Sequence, residues 1–297
     1  MHIAFIGFGE AARAFHDSLK AHEPLLVFST YDILFDSEGL ESDCAKAARE
    51  RRVRTAATAG EAAADADWIL SAVTADQSVA AAMSVVENLR PGQAILDINS
   101  VAPDRKRETQ ALLAATGAIY VDMAVMAPVH PRGHKTPVLI AGQVQDVVDD
   151  LRRLGFDFDI AGEEAGAATA IKMVRSLFVK GLEAITVETV LAASASGCLD
   201  RLLTSLAGSY PGLKWPDIAE YNAERMLKHG KRRAAEMRES GATLDALGLD
   251  GDLARAIASL HDRMGALPAD GLPARNLAES AERLVAMRRV TPGGENG

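Results

Sequence analysis

An α/β fold is predicted here, a doubly wound parallel sheet followed by an all-α C-terminal domain joined by a long interdomain helix, and three observations predict it. The chain opens with an apolar run, residues 2–6, that breaks into Gly7-Phe8-Gly9-Glu10-Ala11-Ala12 before a helical stretch over 13–20. Short apolar segments then alternate with amphipathic or Ala-rich ones as far as residue 161. At Gly162 the texture changes, and every later element has a helical pattern. Strand–helix alternation builds parallel sheets through crossovers, and a Gly-x-Gly-x-x-Ala turn after the first strand makes the unit Rossmann-like.

The elements follow in order. Residues 25–29 form a second strand, 41–51 a helix, 52–55 a weak strand and 59–66 a short Ala-rich helix. Residues 68–73 (WILSAV) are a buried strand, 77–89 a helix, and Pro91-Gly92 a turn before the strand 94–98. A helix over 103–116, strands at 119–121 and 138–141, a helix over 144–154 and a short strand near Phe156 complete the sheet. One helical pattern without proline then spans 164–196, with Gly166 and Gly181 inside it. Helices at 200–207, 215–238, 243–247, 251–264 and 275–287 follow, separated by breaks at Tyr210-Pro211-Gly212 and Leu267-Pro268. The expected division is a sheet domain over 1–161, an all-α domain over 162–291 and a frayed tail over 292–297.

With 297 residues, one or two domains are expected. A net charge of −9 argues against a general nucleic-acid or anionic-membrane binder. No apolar stretch reaches the roughly 18 residues that span a bilayer. A strand starting at residue 2 leaves no room for a signal peptide. Cys44 and Cys198 are far apart in sequence and lack metal-ligand spacing, so neither a disulfide framework nor a metal site is expected. A cytoplasmic protein is the expectation.

The opening turn carries the first chemistry. Gly7 permits the tight turn, Gly9 lets backbone N–H groups approach a pyrophosphate, and Ala12 allows close helix packing. Residues Gly7, Phe8, Gly9, Glu10, Ala11 and Ala12 are therefore the expected cofactor cradle. Asp32, 25 residues after Gly7, has the spacing of the acid that accepts hydrogen bonds from both ribose hydroxyls, which favours NAD over NADP. The alternatives are that Asp32 is only a loop acid, or that Ser29 or Thr30 ends the strand and holds a phosphate. Val73-Thr74 and Asn99-Ser100 form two further strand-to-helix corners facing the crevice. Thr74 and Ser100 are equally read as helix caps, whereas a buried Asn99 amide needs partners.

Lys172 is the candidate for proton transfer. It sits among Ile171, Met173, Val174, Leu177 and Phe178, and burial beside a nicotinamide cation would depress its pKa towards the useful range. Ser176, one turn on, shares its face. The alternative is a surface lysine paired with Glu164 or Glu183. The segment 122–135 carries His130, Arg132 and His134, and is either a carboxylate-binding lid or a purely conformational loop. His229, Arg232, Arg233 and Glu236 share one helical face, as a substrate contact or as a solvated charge cluster.

Together these pieces resemble the β-hydroxyacid dehydrogenase superfamily, relatives of 6-phosphogluconate and 3-hydroxyisobutyrate dehydrogenases. The resemblance rests on the Gly7–Ala12 turn and on Asp97-Ile-Asn-Ser100-Val-Ala-Pro103 at the family's D-x-S/N-x-x-x-P corner. It continues in Asp122-Met-Ala-Val-Met126 over D-x-P-V-S-G-G, and in residues 162–176 over G-x-x-G-x-x-x-K-x-x-x-N. Lys172 matches the family's catalytic lysine, and the stretch 229–239 resembles a little-characterised branch. Two positions depart: Met126-Ala127-Pro128 replaces Ser-Gly-Gly, and Ser176 replaces Asn.

The resemblance implies an NAD(P)-dependent oxidoreductase of a hydroxy acid or related alcohol, with Lys172 as general acid/base. Asn99, Ser100, Asp122, Met126, Ser176, His229 and Arg233 would hold the substrate. Gly7 to Ala12, Asp32, Val73, Thr74 and Asn99 would hold NAD or NADP. It also implies a homodimer built by the long helix and the α-domain. The rival readings are an inert NAD(P)-binding regulator, motivated by the two departures, and an imine reductase, against which Lys172 counts.

Overall fold

The opening apolar run forms β1 (His2–Ile6), which turns at once into α1 (Glu10–His22) and returns as β2 (Val27–Tyr31). Helices α2 (Leu34–Ser37) and α3 (Asp43–Glu50) precede the two-residue β3 (Arg54–Thr55). Then α4 (Ala59–Ala63) leads to β4 (Trp68–Ser71), α5 (Ser78–Met83) to β5 (Ala94–Asp97), and α6 (Pro103–Leu113) to β6 (Ile119–Val125). Across a loop lies β7 (Val138–Gly142), and α7 (Val148–Arg153) connects it to β8 (Phe158–Gly162). Among the described residues helical elements follow: α8 (Ala167–Ala195), α9 (Leu199–Ser209), α10 (Asp217–Ala246), α11 (Asp252–Gly265) and α12 (Leu277–Val290). This computed structural model describes residues 1–268 and 276–290. The expected frayed tail over 292–297 and the expected helix start at residue 275 lie outside the described residues. The chain divides into two compact units, Met1–Met173 and Val174–Gly297.

Among the described residues, eight strands form one sheet in the order β3-β2-β1-β4-β5-β6-β7-β8. The order reverses between β1 and β4, and that switch point is where an open α/β sheet leaves a crevice outside its strand ends. Both faces are covered, because alternate side chains enter opposite cores. Ile3, Phe5, Leu70, Leu96 and Met123 pack on one side, and Ala4, Ile6, Ile69, Ile95 and Tyr120 on the other.

The sheet is the expected doubly wound, mostly parallel one, with one antiparallel pair, since β7 runs antiparallel to β6. The physical reason is the connection. Residues 126–137 hold one short turn, Gly133–Lys135, and no crossover helix, and a parallel neighbour requires such a crossover.

In the second unit, Val187, Leu191, Met226, Met237, Ile257 and Met264 form the core. The pattern read as two helices, 215–238 and 243–247, is one helix, α10. Ser240 looks like a break in sequence but its hydroxyl donates to Glu236 O at 3.2 Å. Gly241 lies where α10 crosses α11, with Gly251 O 3.5 Å from where a Cβ would stand. Conversely, the expected helix 77–89 is broken: α5 stops at Met83, and the Ser84 hydroxyl donates to Ala81 O at 2.7 Å.

Candidate active site

The glycine turn closes by backbone and side-chain hydrogen bonds. Gly7 has φ +86°, donates its N–H to Tyr31 O at 2.8 Å, and a Cβ there would stand 2.5 Å from Ala72 O. Only glycine fits. Gly9 caps the 13-residue α1, and a Cβ there would meet nothing within 4 Å, so the space before the helix N-terminus is open. Ala12 is fully buried, as close packing of helix on strand demands.

Phe8 is a partial correction. Its ring is buried 5.8 Å from Phe5, and its N–H donates to Asp32 Oδ2 at 2.7 Å, so neither group faces the crevice. Asp32 also accepts from Leu34 N at 3.0 Å through Oδ1 and is nearly buried. Ser29 and Thr30, the alternative phosphate holders, are corrected outright. Both are fully buried, Ser29 Oγ donating to Ala62 O at 2.8 Å and Thr30 Oγ1 to Phe5 O at 3.1 Å. Each points into the sheet layer, away from any ligand.

The neighbouring corners are tied to one another. Asn99 Oδ1 accepts from Val73 N at 2.7 Å and Asn99 Nδ2 donates to Ser71 Oγ at 2.8 Å, which joins the end of β4 to the end of β5. Thr74 is exposed and makes no capping bond. Ser100 is not the cap of α6 either, since Ala102 holds that place. Ser100 instead accepts a 2.6 Å hydrogen bond from Lys172 Nζ. The lysine is half-buried one turn into α8, so the end of β5 and the start of α8 meet at a side-chain pair.

Asp122 is corrected as a substrate contact. It is fully buried, and its Oδ2 accepts from Gly166 N and Thr169 N, both at 3.0 Å, while Oδ1 accepts from Thr169 Oγ1 at 2.6 Å. It caps the start of α8, where the helix dipole favours a negative charge. Met126 is half-buried against Ala124, Ala141 and Ala168. The 122–135 segment is no free lid at its far end: His134 is fully buried between Ser18 Oγ, 2.7 Å away, and Leu154 O, 2.9 Å away.

Within the second unit, Ser176 is buried and accepts from Lys180 Nζ at 3.0 Å. Burial lowers the Lys180 pKa, against the opposing pull of Glu236 2.8 Å away. Arg233 is buried and grips Glu183 with two nitrogens, so the solvated-face reading is corrected for it, and its guanidinium is already engaged. His229 is half-buried and Arg232 exposed on the same helix.

Residues 2–153 match the NAD binding domain of 6-phosphogluconate dehydrogenase. The chain belongs to that family. Residues 193–264 match a domain of unknown function, DUF1932. A conserved hypothetical protein from Sinorhizobium meliloti 1021 is 32% identical, with 95% of this chain and 96% of that chain covered and a TM-score of 0.75. A conserved protein of unknown function, described as structurally similar to 3-hydroxyacid dehydrogenases, is 27% identical over 89% of this chain and 96% of that one, with a TM-score of 0.69. A curated relative, an uncharacterised 28.5 kDa protein of Methanothermus fervidus, is 24% identical over 80% of this chain and 89% of its own length. The 3-hydroxyisobutyrate dehydrogenase of Mycobacterium tuberculosis shares the fold at 17% identity, a TM-score of 0.73 and coverage of 95% and 98%. The protein is thus a member of a little-characterised branch of the β-hydroxyacid dehydrogenase superfamily, with an NAD(P)-binding domain of the 6-phosphogluconate dehydrogenase type.

The cradle of this family member fits a dinucleotide. The open space before Gly9, the left-handed turn at Gly7 and the start of α1 stand at the switch point of the sheet. Sequence reasoning missed Lys106, Thr169 and Tyr120, which lie beneath the Ser100–Lys172 pair. Lys106 stands in Asp104-Arg-Lys-Arg-Glu108, a run whose pattern is that of a solvated helix. Nothing local marks it for burial. Among the described residues no group of three or more His, Cys, Asp or Glu gathers to hold a metal, and no helix is long and apolar enough to cross a membrane.

Proposed function

We propose that the protein is an NAD-dependent dehydrogenase of a hydroxy acid or related alcohol, with Lys172 as general acid/base. The observation that carries this reading is the 2.6 Å hydrogen bond from Lys172 Nζ to Ser100 Oγ, at the strand end tied through Asn99 to the Val73 corner. A bound nicotinamide supplies the hydride acceptor for oxidation and the donor for reduction. The neutral Lys172 amine takes the proton of the substrate hydroxyl as the alcohol is oxidised. Ser100, accepting from Lys172, has its own hydroxyl hydrogen to donate to a substrate oxygen. Asn99 holds the corner in register by its two hydrogen bonds.

Gly7, Gly9, Glu10, Ala11 and Ala12 hold the pyrophosphate by backbone and helix dipole, beside Val73 and Thr74. Asp32 keeps lone pairs beyond its two backbone bonds and reads the ribose, which favours NAD over NADP. Met126, where the resemblance expects a serine, removes a hydroxyl and so counts against a small polar hydroxy acid as the substrate; Ser176, His229 and Arg233 remain candidate substrate residues of the second unit. In this reading residues 1–161 are the nucleotide-binding domain and 162–291 the substrate and dimerisation domain of a cytoplasmic homodimer. Support for the dimer comes from α8, where Ile171, Val174, Phe178 and Ile185 lie on one face and are 47–73% exposed.

The test is turnover of a panel of hydroxy acids and alcohols with NAD and NADP, native against Lys172→Ala. Tight cofactor binding without turnover of any member by the native protein favours an inert regulator, a reading that Met126 and Ser176 motivate.

A further inference from the structure

Beneath the Ser100–Lys172 pair lies a buried charge cluster that no catalytic step uses. Asp97, at the end of β5, and Asp122, in the middle of β6, are register partners. Two carboxylates so placed repel, and the Lys106 ammonium stands between them. Lys106, at the end of the first turn of α6, donates to Asp97 O at 2.8 Å and pairs with Asp97 Oδ1 at 2.9 Å and Asp122 Oδ1 at 3.7 Å. Its side chain and that of Asp122 are 0% exposed, and that of Asp97 is 3% exposed. One ammonium faces two carboxylates, and the remaining negative charge meets the N-terminal N–H groups of α8.

The cluster reaches both ends of the Lys172–Ser100 hydrogen bond. On one side Asp97 Oδ1 accepts from Asn99 N at 2.9 Å and Asp97 Oδ2 from the Tyr120 hydroxyl at 2.7 Å, which fixes the corner that carries Ser100. On the other, Asp122 holds Gly166 and Thr169, and Thr169 lies one turn before Lys172 on α8. Gly166, at φ +94°, lets that start press on α6, since a Cβ there would stand 2.9 Å from Pro103 O.

We propose that Lys106 is a positioning residue for Lys172, a buried ammonium that fixes the start of α8 and the Ser100 corner to each other through Asp122 and Asp97. The proposal deepens the reading of Lys172 as the proton-transfer group and rests on it for its functional meaning. Buried ion pairs cost desolvation and are poor stabilisers against apolar replacements, so geometric specification is the physical return such a cluster gives.

The experiment reads Lys172 directly, without a substrate. Native protein and variants are labelled at pH 8 with trinitrobenzenesulfonate, and mass spectrometry gives the rate at Lys172 relative to the half-exposed Lys46. Asp97→Asn with Lys106→Met removes one charge of each sign. It is expected to raise the Lys172:Lys46 ratio at least threefold, because the amine leaves its bond to Ser100 more often, with NADH affinity within twofold of native. Thr169→Val keeps every charge and removes only the 2.6 Å bond to Asp122, and is expected to raise the ratio about twofold. A folded double variant with a native ratio overturns the proposal. Should the double variant not fold, a native ratio in Thr169→Val overturns it alone. If Lys172→Ala keeps full turnover, the proton-transfer reading fails, while the labelling ratio still decides whether Lys106 positions Lys172.

Discussion

Asp32 closes the glycine turn by accepting the Phe8 N–H at 2.7 Å, so the carboxylate spaced to read a ribose is also part of the cradle's own frame. A side chain that frames the turn and is proposed to read the ribose makes an informative substitution. The turn needs Oδ2, and the ribose would use the lone pairs that face the crevice.

The cofactor prediction follows from that double role. NADH is expected to bind at least tenfold tighter than NADPH, about 1.4 kcal/mol, because a carboxylate repels a 2′-phosphate. Asp32→Ser should narrow the gap and lower the melting temperature, since the Phe8 and Leu34 N–H groups lose their acceptor. Fluorescence titration of both cofactors is the check, and equal native affinities would remove Asp32 from the specificity role. No hydroxyl at Ser29 or Thr30 stands ready to replace it, because both face inwards.

Lys172→Ala is expected to lower kcat at least 10²-fold on any substrate the native protein oxidises, the low end for general acid–base groups. NADH affinity should stay within about twofold, because the proposed pyrophosphate and ribose contacts lie at the Gly7 and Asp32 corner. In the oxidation direction only the neutral amine takes a proton, so native kcat/KM should fall on acidification. A variant that retains a tenth of native turnover would return Lys172 to a structural role.

The apolar stripe of α8 leads to an association prediction. Light scattering at micromolar concentration is expected to give twice the 31.5 kDa chain mass. Phe178, 73% exposed, and Ile185, 69% exposed, lie two turns apart on that stripe. Phe178→Glu with Ile185→Glu should return the mass to that of one chain. A native mass near 31.5 kDa would refute the homodimer.

Two buried imidazoles set an acid limit. Burial lowers the pKa of His134 and of His261 to about 4, from 6.5. The unfolded chain therefore takes up these protons first as pH drops, so their contribution is complete above pH 6.5 and is lost as pH falls through 4. For each the loss is of order 3 kcal/mol. His134→Gln should remove about half of the acid-induced drop in melting temperature between pH 6.5 and 4, leaving the His261 share. Indistinguishable slopes in native and variant would contradict the assignment.

How legible the protein was in its sequence differs from residue to residue. The β1–turn–α1 unit was legible because its determinants are local: an apolar run, a glycine that tolerates φ +86°, and an alanine where the helix meets the strand. The division into strand–helix alternation and then helices was legible for the same reason, since period and turn chemistry are written in contiguous residues. Lys172 stood out by its apolar neighbours and by its family motif, yet its partner Ser100 lies 72 residues away and has the look of a helix cap.

What only the tertiary structure decided is where charge and chain direction are settled by distant segments. The antiparallel β7 depends on which neighbour a helix-free connection can reach. The continuity of α10 through Ser240-Gly241 goes with its packing along α11, which is closest at Gly230, where a Cβ would stand 2.3 Å from His261 O. Asp122 carries a motif position but turns inward, because the N-terminus of α8 comes within 3.0 Å and the dipole there holds it. Lys106 stands in a run of charges that spells a solvated helix. It is buried because β5 and β6 bring two carboxylates into register beside it, a circumstance written in no stretch of sequence near residue 106.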